Sequence, residues 1–371
     1  MRYYYCMKLS CTQENLAHAL AKVAPIATKG GTLPILSNVL LEAREGALKL
    51  SATNLEIGIT ATIRGKIEQE GTFTVAGRLF SDYVGLLESS AVSLELSGEH
   101  LEIRSGNART KIHGQAAEEF PVIPTLDGTP TAVMPGSDFF GALSQVLFAV
   151  SASDARPELS GVLLSFEGNK VTLVGTDSYR LAERSVQLKA PSQKTQSIIV
   201  PTRAASELGR ILSREEGELT VSSSENQVLF SVGDVELLSR LISGTFPNYR
   251  EIIPKNSNTK VVIDKEPLVR AIKSASLFCR QGLNHVSFQF SSDRIMVSAS
   301  ASSLGENTVE LPAKIEGGDV DIVFDYRYVL DGLSAIHTSE VAIRLSGSAS
   351  PGVFTPNNDE GYLYLVMPIK Q

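Results

Sequence analysis

The sequence predicts an α+β fold built from three tandem copies of one module, with helices packed on one face of antiparallel sheets. Three observations carry that prediction. Leu36, Leu159 and Leu283 open the same strand-rich pattern at spacings of 123 and 124 residues. Arg78, Arg203 and Arg327 recur in step with them, 125 and 124 residues apart. Each third also repeats one order of elements: a strand and an amphipathic helix, the anchor leucine and a hairpin, a strand running into a second helix, and closing strands near a proline. Repeats of this length are too large for a solenoid unit and large enough for a core of their own.

In chain order, Met7 opens a strand over 8–11. The first helices are read over 13–23, 137–150 and 266–276. In the first, Leu16, Ala19, Leu20 and Val23 fall at helical spacing. In the second, Phe139, Leu143, Val146 and Leu147 do, with Ser137 expected as N-cap. In the third, Leu268, Ile272 and Ala275 do, with Asp264 and Pro267 at its start. The central hairpin is read as strands 161–166 and 170–175 around Glu167-Gly168-Asn169, a turn between β-branched runs. Second helices over 78–87, 202–212 and 326–336 follow strands 72–76, 197–200 and 321–324. Closing strands are expected to end at Phe120-Pro121, Phe246-Pro247 and Met367-Pro368. The polar stretches 124–130, with Asp127-Gly128, and 254–259, with Asn256, Ser257 and Asn258, punctuate the repeats. The expected domains are 1–127, 128–254 and 255–371, with 1–6 an extension.

Composition narrows the function. A chain of 371 residues exceeds one core, and 43% hydrophobic with 20% charged residues is the make-up of a globular protein. No apolar run approaches the roughly 20 residues that span a bilayer, and the opening residues lack the apolar stretch of a secretory signal. Cys6, Cys11 and Cys279 have no paired spacing, the pattern of a cytoplasmic protein without a disulfide framework. The net charge of −7 excludes a simple nucleic-acid coat. Yet Lys22, Arg203, Arg210, Arg270, Lys273, Arg280 and Arg327 gather on helices, while acids such as Glu42, Glu118, Glu215 and Asp319 occupy strands and loops. If each module is related to the next by one rotation, the array curves and head-to-tail contact closes a ring or extends a filament. Helices on the inside then line a positive hole within an acidic shell, which holds phosphates without reading bases.

Little in the chain suggests catalysis. The histidines His18, His100, His113, His285 and His337 are scattered, with no metal-ligand spacing. No phosphate-binding glycine loop, dinucleotide fingerprint or nucleophile elbow occurs. Asp177, in Gly175-Thr-Asp-Ser-Tyr-Arg180, has two readings: a catalytic base or nucleophile, or an Asx turn closing the hairpin. The first copy has Asn54 at that place and the third lies near Ser300, which favours the turn.

Taken together, Thr32-Leu-Pro-Ile-Leu-Ser-Asn38, Gly175-Thr-Asp-Ser-Tyr-Arg-Leu-Ala182, Ile199-Val-Pro201, Gly244-Thr-Phe-Pro-Asn-Tyr-Arg250, Tyr328-Val-Leu-Asp331 and Val366-Met-Pro-Ile-Lys-Gln371 resemble the bacterial β sliding clamps of DNA polymerase III, from Met7 to the C-terminus. The resemblance implies three DNA-clamp domains with sheets outside and helices lining the inside of a ring, closed as a head-to-tail homodimer around double-stranded DNA without sequence preference. It implies no catalytic activity, cofactor or metal. It also implies a groove between the second and third domains that receives short peptide motifs from the replicative polymerase, the clamp loader and repair polymerases. By motif, that groove is assigned to Leu159, Thr176, Ser178, Tyr179, Arg180, Leu181, Pro247, Ile252, Leu365, Val366, Met367, Pro368 and Ile369. The residues expected to face DNA are Lys29, Arg78, Arg203, Arg210, Arg270, Lys273, Arg280 and Arg327, and the loops 28–32 and 151–156 match positions at the ring face. Ile112, Leu277 and Phe278 are expected at the dimer contact, where Thr110 replaces a more typical aromatic. Gln371 also departs from the family's apolar ending. Two other readings stand beside this one: a repeat-built protein scaffold with no DNA role, and an enzyme using Asp177 and Tyr179.

Overall fold

The computed structural model describes residues 7–27, 33–88, 90–126, 129–153, 155–192, 194–280, 282–359 and 361–370. The expectations on 1–6, the loop 28–32 with Lys29, Asp127-Gly128 and Gln371 lie outside these residues. The chain forms two compact units, Met1–Ser137 with Ser206–Leu241, and Asp138–Ala205 with Ile242–Gln371. The middle repeat is therefore divided between them.

Six α-helices occur among the described residues: α1 (Gln13–Val23), α2 (Gly77–Gly85), α3 (Gly136–Val146), α4 (Thr202–Leu212), α5 (Lys265–Ser276) and α6 (Tyr326–Ala335). α1 and α4 have the bounds expected from their apolar periodicity. α1 starts where the Thr12 hydroxyl accepts the Asn15 N–H. Three starts fall one residue before expectation: α5 begins at Lys265, and α3 and α2 begin at Gly136 and Gly77. The strand Ala132–Pro135 runs straight into α3, so Ser137 lies inside the first turn instead of capping it. α2 begins at Gly77, where a Cβ would meet Ala27 and Val39 at 2.9 Å. Glycine is needed there for packing, a requirement that periodicity does not reveal. α3 is followed by a tighter 3-10 turn, Leu147–Ala149, within the stretch read as one helix.

In the first unit thirteen antiparallel strands form one continuous ladder. Its core residues Leu16, Leu20, Val39, Leu41, Leu50, Phe80, Leu94 and Phe230 are nearly inaccessible to solvent. Each such side chain contributes roughly 1.5–3 kcal/mol relative to exposure. Within this ladder the strand Ile57–Arg64 of the first repeat pairs with Val235–Arg240 of the second. The second unit holds a nine-stranded and a four-stranded sheet. There the strand Arg180–Gln187 of the second repeat pairs with Tyr362–Val366 of the third. The two joints are the same joint: the last hairpin strand of one repeat meets the closing strand of the next.

The closing strands end earlier than expected in the first two repeats. Ala108–Gln115 gives way to a 3-10 turn, Ala117–Glu119, before Phe120, and Val235–Arg240 ends well before Phe246. Phe120 is buried, and Phe246 packs on the apolar cluster of the second unit, edge-on to Tyr249 at 6.2 Å. Only Met367-Pro368 directly follows its strand. No described helix is long and apolar enough to cross a membrane.

Candidate functional site

The segment after the central hairpin folds as a polar turn. Asp177 Oδ1 accepts the N–H groups of Tyr179 and Arg180 at 2.9 and 3.0 Å. The Thr176 hydroxyl donates to Arg180 O and accepts from Ser178 N–H. The first repeat builds the same turn from Thr53 and Asn54. Asn54 Oδ1 accepts from Glu56 and Ile57, and Thr53 donates to Ile57 O. The backbone agrees: Leu55 and Ser178 have φ of +75° and +78°. Asp177 is thus an Asx-turn acceptor, and its other oxygen receives Arg180 Nε at 3.0 Å. Those contacts occupy it and argue against the enzyme reading.

The turn presents Arg180–Gln187 to the C-terminal strand Tyr362–Val366, and together they carry an apolar sheet face. Thr176 is opposed by Leu181, Leu181 by Leu365, and Leu365 by Val353. A second row runs Ile199, Leu163, Val174, Glu183, Leu363. Opposed residues of antiparallel strands share a face. This face points away from α6, whose Tyr328 carbonyl accepts the Tyr364 hydroxyl from the other side at 2.8 Å. Leu163, Val174, Leu181, Ile199, Tyr249, Val353 and Leu365 form one buried cluster, with Ile242, Phe246, Ile253, Leu363 and Met367 packed on it. The tail is tied in by Met367 N–H to Tyr179 O and Ile369 N–H to Val323 O, each at 2.8 Å.

The sequence-assigned groove residues divide three ways. Ser178, Tyr179, Pro247 and Ile252 are exposed, Tyr179 at 62% and Ile252 at 43%, and Met367, Pro368 and Ile369 are half-buried. These can touch a ligand. Leu181 and Leu365 lie beneath them as floor, and Thr176 is buried as the turn's anchor. Leu159 is buried on a 3-10 turn, Pro157–Leu159. Val366 and Arg180 make the third group. They oppose each other across the strand pair, so both point to the helix side. The Arg180 guanidinium is fixed there by Asp177, Asp331 and the Phe148 carbonyl, and it lies 4.6 Å from the Tyr328 ring centroid. It braces the wall and offers a ligand little. Motif matching missed Tyr249, Phe246, Val174, Ile199 and Val353. Only the strand pairing gathers them, although Phe246 and Tyr249 lie inside the Gly244–Arg250 motif.

The basic residues also sort by their surroundings. Arg203, Lys273 and Arg280 are exposed and make no ion pair among the described residues. Arg78 and Arg270 are exposed and loosely engaged, by Asp82 at 3.7 Å and Glu266 at 3.5 Å, while exposed Arg327 bonds both carboxylate oxygens of Asp325 at 3.1 and 2.7 Å. Arg210 differs from expectation. Its guanidinium donates to the carbonyls of Ala21 and Lys22 and to Glu207, closing the end of α1. Lys22 is buried and paired with Glu215, so it adds no surface charge. Both cations are held inside the first unit by oxygen acceptors that sequence spacing does not indicate.

At the expected dimer contact, Leu277 is 73% exposed and Phe278 half-buried. Ile112 opposes Leu101 on the core face and is 5% exposed. What the strand Ala108–Gln115 offers instead is its edge. It pairs fully with His100–Ser105, but on its other side only Gly114 and Gln115 are engaged. Its outward side chains Arg109, Lys111 and His113 are exposed. Arg109 and Arg104 both bond the Glu102 carboxylate at 2.6 Å and hold its pKa down to about 2. In the second unit, Gly305–Pro312 lies at the edge of the four-stranded sheet and carries Glu306 and Glu310.

Comparison with known proteins covers nearly the whole chain. Residues 7–124, 134–248 and 250–370 match the N-terminal, central and C-terminal domain families of the DNA polymerase III beta subunit. The beta sliding clamp of Bacillus subtilis is 28% identical over 98% of this chain and 100% of its own length. That of Staphylococcus aureus is 31% identical over 91% of this chain and 93% of its own. The crystal structure of the B. subtilis DNA polymerase sliding clamp superposes with a TM-score of 0.94 at 28% identity, covering 98% and 99% of the two chains. The Pseudomonas aeruginosa DNA polymerase III subunit beta gives 0.94 at 27%, covering 98% and 100%. A sliding clamp from P. aeruginosa bound to griselimycin gives 0.92 at 27% identity, with the same coverage.

Proposed function

The chain belongs to the DNA polymerase III beta subunit family, the beta sliding clamps, and from that premise we propose that two copies close head-to-tail into a ring that tethers the replicative polymerase to duplex DNA. The observation that carries this reading is the repeated joint. Ile57–Arg64 meets Val235–Arg240, and Arg180–Gln187 meets Tyr362–Val366. By the same rule Gly305–Pro312, at a sheet edge, should meet the equivalent of Ala108–Gln115, whose outer side is paired only at Gly114 and Gln115. A single chain has one of each, so a second copy supplies the partner twice over. The basic side chains of one edge and the acidic side chains of the other favour that pairing.

Within such a ring, three copies of the module per chain, divided at about 127 and 254, turn α1–α6 toward the duplex. Arg78, Arg203, Arg270, Lys273, Arg280 and Arg327 then meet phosphates through charge alone, which permits sliding and makes contact salt-sensitive. A groove above Leu181 and Leu365 receives short peptide segments of polymerases and of the loader that opens the ring, with Tyr179, Ile252 and Met367 at the contact. Tethering raises the polymerase's local concentration at the primer end without catalysis, cofactor or metal. The test is retention on closed circular DNA against the same DNA linearised. Retention on the circle at a salt concentration that releases the protein from the linear form is expected. Equal retention on both would end the encirclement reading.

A further inference from the structure

The row of opposed residues Thr176, Leu181, Leu365 and Val353 continues past Val353. Val353 opposes Arg344 on Glu340–Leu345, and Arg344 opposes Lys260 on Thr259–Asp264. One face of the sheet therefore passes from Leu181, Leu365 and Val353 into two adjacent cations. At about 4.8 Å per strand, Arg344 stands roughly 10 Å from Leu365 and Lys260 roughly 14 Å. Like charges directly opposed destabilise a sheet, yet both are exposed and neither makes an ion pair among the described residues. The acid in this row is Glu316, beyond Lys260 on the edge strand. Lys255 joins them from a fastened segment. Asn258 N–H donates to Leu345 O at 2.9 Å, and the Ser346 hydroxyl donates to Asn256 O at 2.5 Å. Lys255, Lys260, Arg344, Ser346 and Val353 line a cleft of ≈ 350 Å³ with no carboxylate among its described lining residues. In a chain of net charge −7, this is a local inversion of sign beside an apolar surface.

We propose that this cleft is an acidic-residue subsite of the peptide groove. A segment that lays apolar side chains over Leu181 and Leu365 places an Asp or Glu against Arg344 and Lys260. An extended chain advances about 3.3 Å per residue, so the carboxylate lies about three or four residues from the apolar anchor. The proposal rests on the groove reading above and adds the partner's charge to it.

The test uses fluorescein-labelled ten-residue peptides with one Leu-Leu-Phe anchor. Two Asp, or two Asn as control, are placed three and four residues from that anchor, in separate peptides for each side. Affinity is read by anisotropy on the full chain and on K260Q/R344Q. For one of the two placements, the Asp peptide is expected to bind about three- to tenfold more tightly than its Asn control, the scale of a few exposed ion pairs. The gap should close with added salt and vanish in K260Q/R344Q, where the Asn peptide binds as to the unaltered protein. Equal affinity of the Asp and Asn peptides in both placements overturns the subsite and leaves the groove. Failure of every peptide to bind overturns the groove, and the subsite with it.

Discussion

Asp177 shows how one residue type can be read in two ways until its hydrogen bonds are known. Its Oδ1 accepts two backbone N–H groups, as Asn54 Oδ1 does in the first repeat. An amide oxygen therefore serves the turn as well as a carboxylate. D177N should cost less than about 1 kcal/mol, and D177A about 1–2 kcal/mol because the N–H groups lose their acceptor. Denaturant unfolding measures both, and an alanine variant as stable as the parent would remove the turn from this account. Glu102 sets a pH dependence. Its carboxyl titrates near 2 in the folded chain against an ordinary value of 4.5, because Arg109 and Arg104 bond the ionised form. A lowered pKa stabilises the fold above 4.5, and that contribution is lost as pH falls from 4.5 toward about 2. E102Q should flatten this part of the acid limb in thermal melts, and an unchanged acid limb would show the two arginine contacts to be without effect.

At the scale of elements, the sequence was most legible where one element alone determined the answer. The apolar spacing of α1 and α4 gave their bounds because each buries a single stripe. The start of α3 was missed because the preceding strand Ala132–Pro135 feeds directly into it. The groove was legible as motifs but not as a surface. Which way Arg180 and Val366 point depends on register between strands nearly half the chain apart, and no local pattern encodes that. The basic row of Lys260 and Arg344 was invisible for the same reason. The tail gives the sharpest element-level prediction. Removing residues 367–371 takes Met367 from the cluster together with the two hydrogen bonds to Tyr179 and Val323. Peptide binding should be lost, while far-ultraviolet circular dichroism stays that of the full chain, since the strand Tyr362–Val366 remains paired on both sides. Undiminished peptide affinity would move the binding surface elsewhere.

At the scale of the whole molecule, the threefold leucine and arginine spacing was readable because a duplicated module repeats its sequence signals. The two compact units were not, because the repeat-to-repeat joints draw strands of the middle repeat into both. The proposed assembly makes a prediction about its open edges. R109E/K111E places acids on the edge expected to face Glu306 and Glu310. Sedimentation should then report the mass of one chain at concentrations where the parent reports two. A variant that still sediments as two chains would rule out pairing through these edges.

The joint between Ile57–Arg64 and Val235–Arg240 forms within one polypeptide, so dilution cannot part it, and the same holds for the joint at Arg180–Gln187. Its counterpart between two copies has no covalent thread across it and answers to mass action. In the proposed ring, the seam that a loader must prise apart is the joint with no chain crossing it, and fusing two copies into one gene product would leave a single gate.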